Sequence, residues 1–261
     1  MTVVLDALAG LGRAVLQACQ VSGRLALFAL RGLSHVFRPP IYGRMLARAL
    51  LEIGYLSLPV VALTAIFTGM VLALQSYTGF SRFSAESAIA NIVVLSITRE
   101  LGPVLAGLMV AGRAASAMAA EIGTMRVTDQ IDALVTLSTN PIKYLVTPRL
   151  LAASIALPLL VVVADILGVL GGFIIATFKL GFNATTYLRN TLDFLQTQDV
   201  VSGLVKAAVF GFIIGLMGCF NGYHSRGGAQ GVGAATTAAV VSASVLILAF
   251  DYVLTELFFS R

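Results

Sequence analysis

The sequence predicts an all-α integral membrane protein. We expect an N-terminal interfacial amphipathic helix, five transmembrane helices, and a short cytoplasmic helix between spans two and three. Three observations lead there. The 261 residues are 58% hydrophobic and 11% charged, with a mean hydropathy of +0.95, whereas soluble domains carry roughly 25% charged residues. The apolar runs are long and contain Gly and Pro, which suits helices and not the ten-residue alternation of outer-membrane barrels. The basic residues behind the net charge of +5 flank those runs, where anionic lipid headgroups are the natural partner; nucleic acid is not. The chain divides into 1–55, amphipathic and interfacial, and 56–261, the membrane domain.

Arg13, Gln17, Gln20, Arg24 and Arg31 fall on one stripe of a helix over residues 3–37, with Val21, Leu25, Phe28 and Val36 helping to fill the other side. Such a helix lies in the membrane interface. Pro39-Pro40 ends it, and Arg44, Arg48 and Glu52, four apart, mark a second amphipathic piece. The start MTVVLDALAGLGR lacks the basic opening and cleavage site of a signal peptide and reads as retained.

Span one is expected over 56–74, followed by the polar connection QSYTGFSRFSAES, in which Ser84 with Glu86 could cap the next helix. Span two, 88–123, is over about 50 Å long against a hydrocarbon core of about 30 Å, so a break is expected at Gly102-Pro103. Ala111, Ala115 and Ala119 form a small-residue stripe along it. Span three covers 151–178 with Pro158 and Asp165 inside, span four 200–220, and span five 236–259. In span four Gly211, Gly215, Gly218 and Gly222 form a second close-packing face. The Gly-rich stretch HSRGGAQGVGAA lacks the Lys-Ser/Thr of a P-loop and follows no strand, so a flexible hinge is expected there.

Lys and Arg set the orientation. Arg13, Arg24, Arg31, Arg38, Arg44, Arg48, Arg126, Lys143, Arg149 and Arg226 fall on one side, and Arg82, Lys179, Arg189 and Arg261 on the other. The positive-inside rule puts the first group, with the N-terminus, in the cytoplasm and the C-terminus outside.

No HExxH, GxSxG or paired histidines occur. Cys19, Cys219, His35 and His224 are scattered singly, so neither a disulfide framework nor a metal site is expected. An intramembrane charge costs on the order of 2.5–3.5 kcal/mol, which makes Arg99, Glu100, Arg113, Asp165, Lys206 and Asp251 the informative residues. By sign, Asp251 could pair with Arg99 or Arg113, and Lys206 with Glu100. Adjacent helical residues project about 100° apart, so Arg99 and Glu100 are not expected to face one neighbour. Arg113, about 21 Å along the helix from Arg99, braces the cytoplasmic half. Asp165 has no evident partner.

After span two, Thr128 is a candidate N-cap with Asp129 in the first turn. Ile131, Leu134, Val135 and Ser138 share one face, Asp129 and Asp132 lie on another, and Asn140-Pro141 is expected to end the helix. Such a helix can rest on the membrane or dock into a groove on a soluble partner.

The run RELGPVLAGLMVAGRAASAMAAEIGTMRVTDQIDAL closely resembles the signature of MlaE/YrbE permeases, the membrane subunits of MCE-type lipid ABC transporters. FTGMVLALQ, TNPIKYLVTPRLLA, FNGY and FDYVLTELFF resemble that family too. The resemblance implies a homodimer, an interfacial N-terminal helix and five spans in an inner membrane. It implies a cytoplasmic ABC ATPase, which would carry ATP and Mg while this chain holds no cofactor, gripping a coupling helix at about 124–139. Glu121, Arg126, Thr128, Asp129, Gln130, Ile131, Asp132 and Leu134 would serve that contact. It further implies a STAS-domain protein on the ATPase, a periplasmic MCE-domain ring, and phospholipid as substrate. Arg99, Glu100, Lys206 and Asp251 match recurrent polar positions and are the candidate substrate-binding residues; Arg113, Ala111, Ala115, Ala119, Gly211 and Gly215 are candidates for helix packing. The chain is then a transport subunit and not an enzyme. The rival readings are a non-transporting anchor for a soluble lipid-transfer complex and an ion-coupled secondary transporter. The absence of an internal repeat weighs against the second of these.

Overall fold

A computed structural model describes residues 2–36, 38, 42–80 and 88–259; the side chains of 2–11, 13, 14 and 18 also stand outside the description. The expected Ser84 cap with Glu86 lies outside the described residues, and so does the side chain of Arg13.

Among the described residues the chain is helical without strands. α1 (Thr2–Ser34) is the N-terminal amphipathic helix. Its Phe28, 5% exposed, packs on Phe220, Tyr223 and His224, which anchors it to the end of span four. α2 (Gly43–Ile53) runs through a short 3-10 turn at Tyr55–Ser57 into α3 (Leu58–Phe80). The second amphipathic piece and span one are therefore one bent helical unit. The first residues of the expected polar connection, up to Phe80, belong to the helix.

Among the described residues five helical units are long and apolar enough to cross a membrane: Gly43–Phe80, Ala88–Val127, Ile142–Phe178, Thr197–Tyr223 and Gly228–Phe259. The second does not break at Gly102-Pro103. It runs as α4 (Ala88–Ser96), a π turn at Ile97–Leu101, α5 (Gly102–Val110), a π turn at Ala111–Ala115, and α6 (Ser116–Val127). A third π turn, Ile142–Val146, precedes α8 (Thr147–Phe178). Two of these turns sit just ahead of a proline, Pro103 and Pro148. A proline offers no N–H and crowds the carbonyl four residues back; widening the ladder by one residue accommodates this without a break.

Between spans two and three lies α7 (Gln130–Thr136). Asn140-Pro141 starts the next helix and does not end this one. Asn140 Oδ1 accepts from the Ile142 and Lys143 backbone N–H groups at 3.0 and 3.4 Å, with Pro141 in the first turn. α9 (Ala184–Phe194) fills the connection after span three, and α10 (Thr197–Tyr223) is span four. The expected Gly-rich hinge is mostly helix. α11 begins at Gly228 and runs to Phe259, and only Gly227 and Gly228, at φ 90° and 66°, use the left-handed freedom of glycine in the tight turn.

In lipid there is little hydrophobic drive between helices, so association rests on close packing of small residues. Ala111, Ala115 and Ala119 are fully buried. The last two face Gly218 and Gly222 of α10, where added Cβ atoms would come to about 3 Å from the Ala115 and Ala119 backbone. Gly211 and Gly215 press instead on Ala153 and Leu150 of α8. The glycine face of α10 is thus wedged between two helices. α3 meets α8 in the same way, Gly69 on Gly168 and Gly171 on the Ile66 carbonyl. Leu63, Phe67 and Val71 of α3 and Val241, Val245 and Leu248 of α11 remain exposed, as lipid-facing or subunit-facing surfaces are.

Candidate functional site

Four of the intramembrane charges, Arg99, Glu100, Lys206 and Asp251, converge at the end of the bundle opposite α7. α10 crosses the π turn of span two at Gly203, whose missing side chain leaves room for the Thr98 carbonyl. That close approach lets both Arg99 and Glu100 reach α10, against the sequence expectation that they cannot share a neighbour. Their partners lie two helical turns apart on α10, and both side chains are long enough to splay toward them.

The Arg99 guanidinium holds Asp199 Oδ1 at 2.6 and 2.8 Å and stacks over the Phe259 ring at 4.3 Å from its centroid. Asp199 is 1% exposed, and its other oxygen accepts from the Gln196 N–H at 3.0 Å, closing a capping box at the start of α10. One carboxylate therefore both starts span four and fixes Arg99.

Lys206 is fully buried. Its Nζ lies 2.7 Å from Glu100 Oε2, 2.7 Å from Thr255 Oγ1 and 3.1 Å from the Arg99 carbonyl oxygen. Pro103 has no N–H for the carbonyl four residues back, which is Arg99's; the lysine donates to it instead. Asp251 Oδ1 is 3.0 Å from the same nitrogen. The opposite-sign partner of Lys206 on span two is thus Glu100. Asp251 pairs with Lys206, and not with Arg99 or Arg113.

Arg113 donates to the Glu52 and Leu56 carbonyls, at 3.0 Å from Nη1 and 3.2 Å from Nε. It ties the middle π turn to the last turn of α2 and to the 3-10 turn that follows it, far from the cluster. Asp165 has its carboxyl against Gly102, with Oδ1 buried and without a hydrogen bond; it borders the π turn and, among the described residues, joins no ion pair.

At the other end, Thr128 does not cap α7. Its hydroxyl donates back to the Thr124 carbonyl at 2.8 Å, and Asp129 takes the cap position in the left-handed region at φ 58° without a side-chain bond. Asp tolerates that conformation better than most residues. Ile131 is 1% exposed and faces the membrane domain, with Leu134 partly buried beside it. Ile131 therefore sits out of reach of any soluble partner. Val135 and Leu137, 56% and 74% exposed, face outward with Gln130, Asp132 and Ala133. Arg126 pairs with Asp132 at 2.7 Å, the Gln130 amide donates to Thr128, and Glu121 pairs with Arg149 of α8 at 2.7 Å.

Sequence reasoning missed Asp199, Thr255, Phe259 and Leu137. Signals existed for the first three. Gln196 to Asp199 has capping-box spacing, and Asp251, Thr255 and Phe259 lie at i, i+4, i+8 on one face of span five.

The family model described as permease MlaE matches residues 46–257. A probable ABC transporter permease protein of Rickettsia bellii is 58% identical over 249 residues, covering 95% of this chain and 96% of that one. One from Synechocystis sp. is 42% identical over 239 residues, 90% of each. The intermembrane phospholipid transport system permease protein MlaE of Haemophilus influenzae is 32% identical over 261 residues, 98% of each. With its five membrane-crossing helices and its intramembrane ion-pair cluster, this chain belongs to the MlaE permease family.

Proposed function

We propose that this chain is the membrane subunit of an ABC transporter that moves phospholipid between the inner and outer membranes. A separate cytoplasmic ATPase, holding ATP and Mg, drives it. The carrying observation is that one 40-residue helical unit, Ala88–Val127, has the ion-pair cluster near one end and α7 just past the other. Its packing on α10 is tight through Ala115–Gly218 and Ala119–Gly222, so a displacement at α7 is passed along and not absorbed. The polar cluster binds the headgroup, and the exposed apolar faces of α3 and α11 take acyl chains or a second subunit. ATP binding on the partner draws two copies of α7 together across a homodimer, and the spans close on the lipid. The N-terminus and α7 are cytoplasmic and the C-terminus periplasmic. A STAS-domain protein on the ATPase and an MCE-domain ring outside complete the assembly.

The test is to co-express the full chain with its genomic neighbours and purify it. An ABC ATPase and phospholipid should co-purify. A preparation that transfers phospholipid with no ATPase present would overturn the reading.

A further inference from the structure

The cluster has a definite distribution of charge. Two cations, Arg99 and Lys206, meet three carboxylates, Asp199, Glu100 and Asp251. The side chain of Lys206 is 0% exposed, while those of Glu100 and Asp251 are 37% and 20% exposed. An ammonium has three protons. The Arg99 carbonyl, Glu100 Oε2 and Thr255 Oγ1 take them. Asp251 Oδ1, 3.0 Å from Nζ, lies within charge contact but outside hydrogen-bond geometry and has no hydrogen-bond partner. Arg99 is committed to Asp199 and covered by Phe259. Positive charge is therefore enclosed and spoken for, and the accessible rim is anionic, with one buried carboxylate oxygen lacking a donor. A phosphate would find no unoccupied proton on Lys206 and would meet two carboxylates. A cationic amine would find what the cluster lacks, a third positive charge and N–H donors for Asp251 and Glu100.

We propose that Glu100 and Asp251 recognise the cationic amine of an aminophospholipid headgroup, so that the site selects zwitterionic amine-bearing lipids over anionic ones. This rests on the phospholipid-transport reading above. The ammonium takes its place at the mouth of the cluster beside Lys206, between the two carboxylates. The headgroup phosphate stays outward, away from them. Thr255, which bridges Glu100 and the Asp251 carbonyl, holds the two carboxylates in register.

The test uses the purified full chain in detergent, offered an equimolar mixture of phosphatidylethanolamine and phosphatidylglycerol with matched acyl chains. Bound lipid is read by native mass spectrometry. Phosphatidylethanolamine should be captured with about tenfold preference, since a hydrogen bond to a charged group supplies roughly that factor. Glu100→Gln with Asp251→Asn should cut phosphatidylethanolamine capture about tenfold, to the level of phosphatidylglycerol, and so bring the ratio to about one. Because that pair also faces Lys206, Asp251→Asn alone, checked for unchanged thermal unfolding, should give an intermediate ratio. Equal or greater capture of phosphatidylglycerol by the unaltered chain overturns the headgroup assignment and leaves the transport reading standing. A preference unchanged in both variants overturns it too. Capture of neither lipid overturns the transport reading and the assignment together.

Discussion

The Lys206 ammonium lies 2.7 Å from Glu100 Oε2 with its entire side chain out of contact with solvent. A charge in that position persists only because its partners surround it. Removing one member of a buried pair typically costs about 3–5 kcal/mol, because the remaining charges are left uncompensated. Lys206→Met should therefore lower the thermal unfolding temperature in detergent and abolish lipid transfer. A variant as stable as the parent would show that the carboxylates do not depend on the lysine.

The contact of Gly203 with the Thr98 carbonyl and of Gly211 with the Ala153 carbonyl leaves no space for a methyl group. Gly203→Ala and Gly211→Ala should each destabilise by about 1–3 kcal/mol through overpacking. Gly112→Ala, on span two with nothing near its Cβ position, should be neutral or up to about 1 kcal/mol stabilising through helix propensity. Thermal unfolding of the three proteins checks the order.

Ile131 of α7 is buried, whereas Leu137 at its C-terminal cap is exposed. Leu137→Asp should leave thermal stability and bound lipid unchanged and sharply reduce ATPase co-purification. Ile131→Asp, which places a carboxylate in the core, should cost stability whether or not an ATPase is present. Retention of the ATPase by the Leu137 variant would remove α7 from the docking surface.

Asp199→Asn keeps an acceptor for the Gln196 N–H but removes the charge that holds Arg99. Loss of that charge-assisted bond should cost about 1–3 kcal/mol. Amide exchange should rise in the first turn of α10 and around Phe259, with no change at α7.

His35, at the foot of α1, provides a pH test. The Asn140 side-chain Nδ2 donates to its Nε2 at 3.3 Å in the neutral ring. Burial first, then Arg38 and Lys143, lower its pKa below 6.5. A folded value below the unfolded one means that protonation favours the unfolded or undocked form. The attachment of α1 should thus be complete above pH 6.5 and weaken as pH falls below it. Proteolysis of α1 followed against pH should show this, and His35→Gln should flatten the profile.

Composition and spacing sufficed for much of the molecule. Five apolar runs must be helices because lipid leaves backbone groups no other partner. The Ala111–Ala119 and Gly211–Gly222 stripes read as packing faces because small residues at helical spacing have little other use in lipid. The charged positions stood out because each is costly in an apolar run. Only the tertiary structure decided how they combine. Arg99 and Asp199 are 100 residues apart and Glu100 and Lys206 are 106 apart, and sign alone left Asp251 open to several partners. The choice depends on the backbone approach at Gly203, a contact between helices that no local pattern encodes. The same holds for α7, where periodicity put Ile131, Leu134, Val135 and Ser138 on one face and the structure divides them, with Val135 and Ser138 exposed. Packing against the membrane domain turned Ile131 inward and left Leu137 for a partner. For the prolines, local rules suggested a break at Pro103, while the packed bundle kept the helix continuous by inserting a π turn and bringing Lys206 to the freed carbonyl.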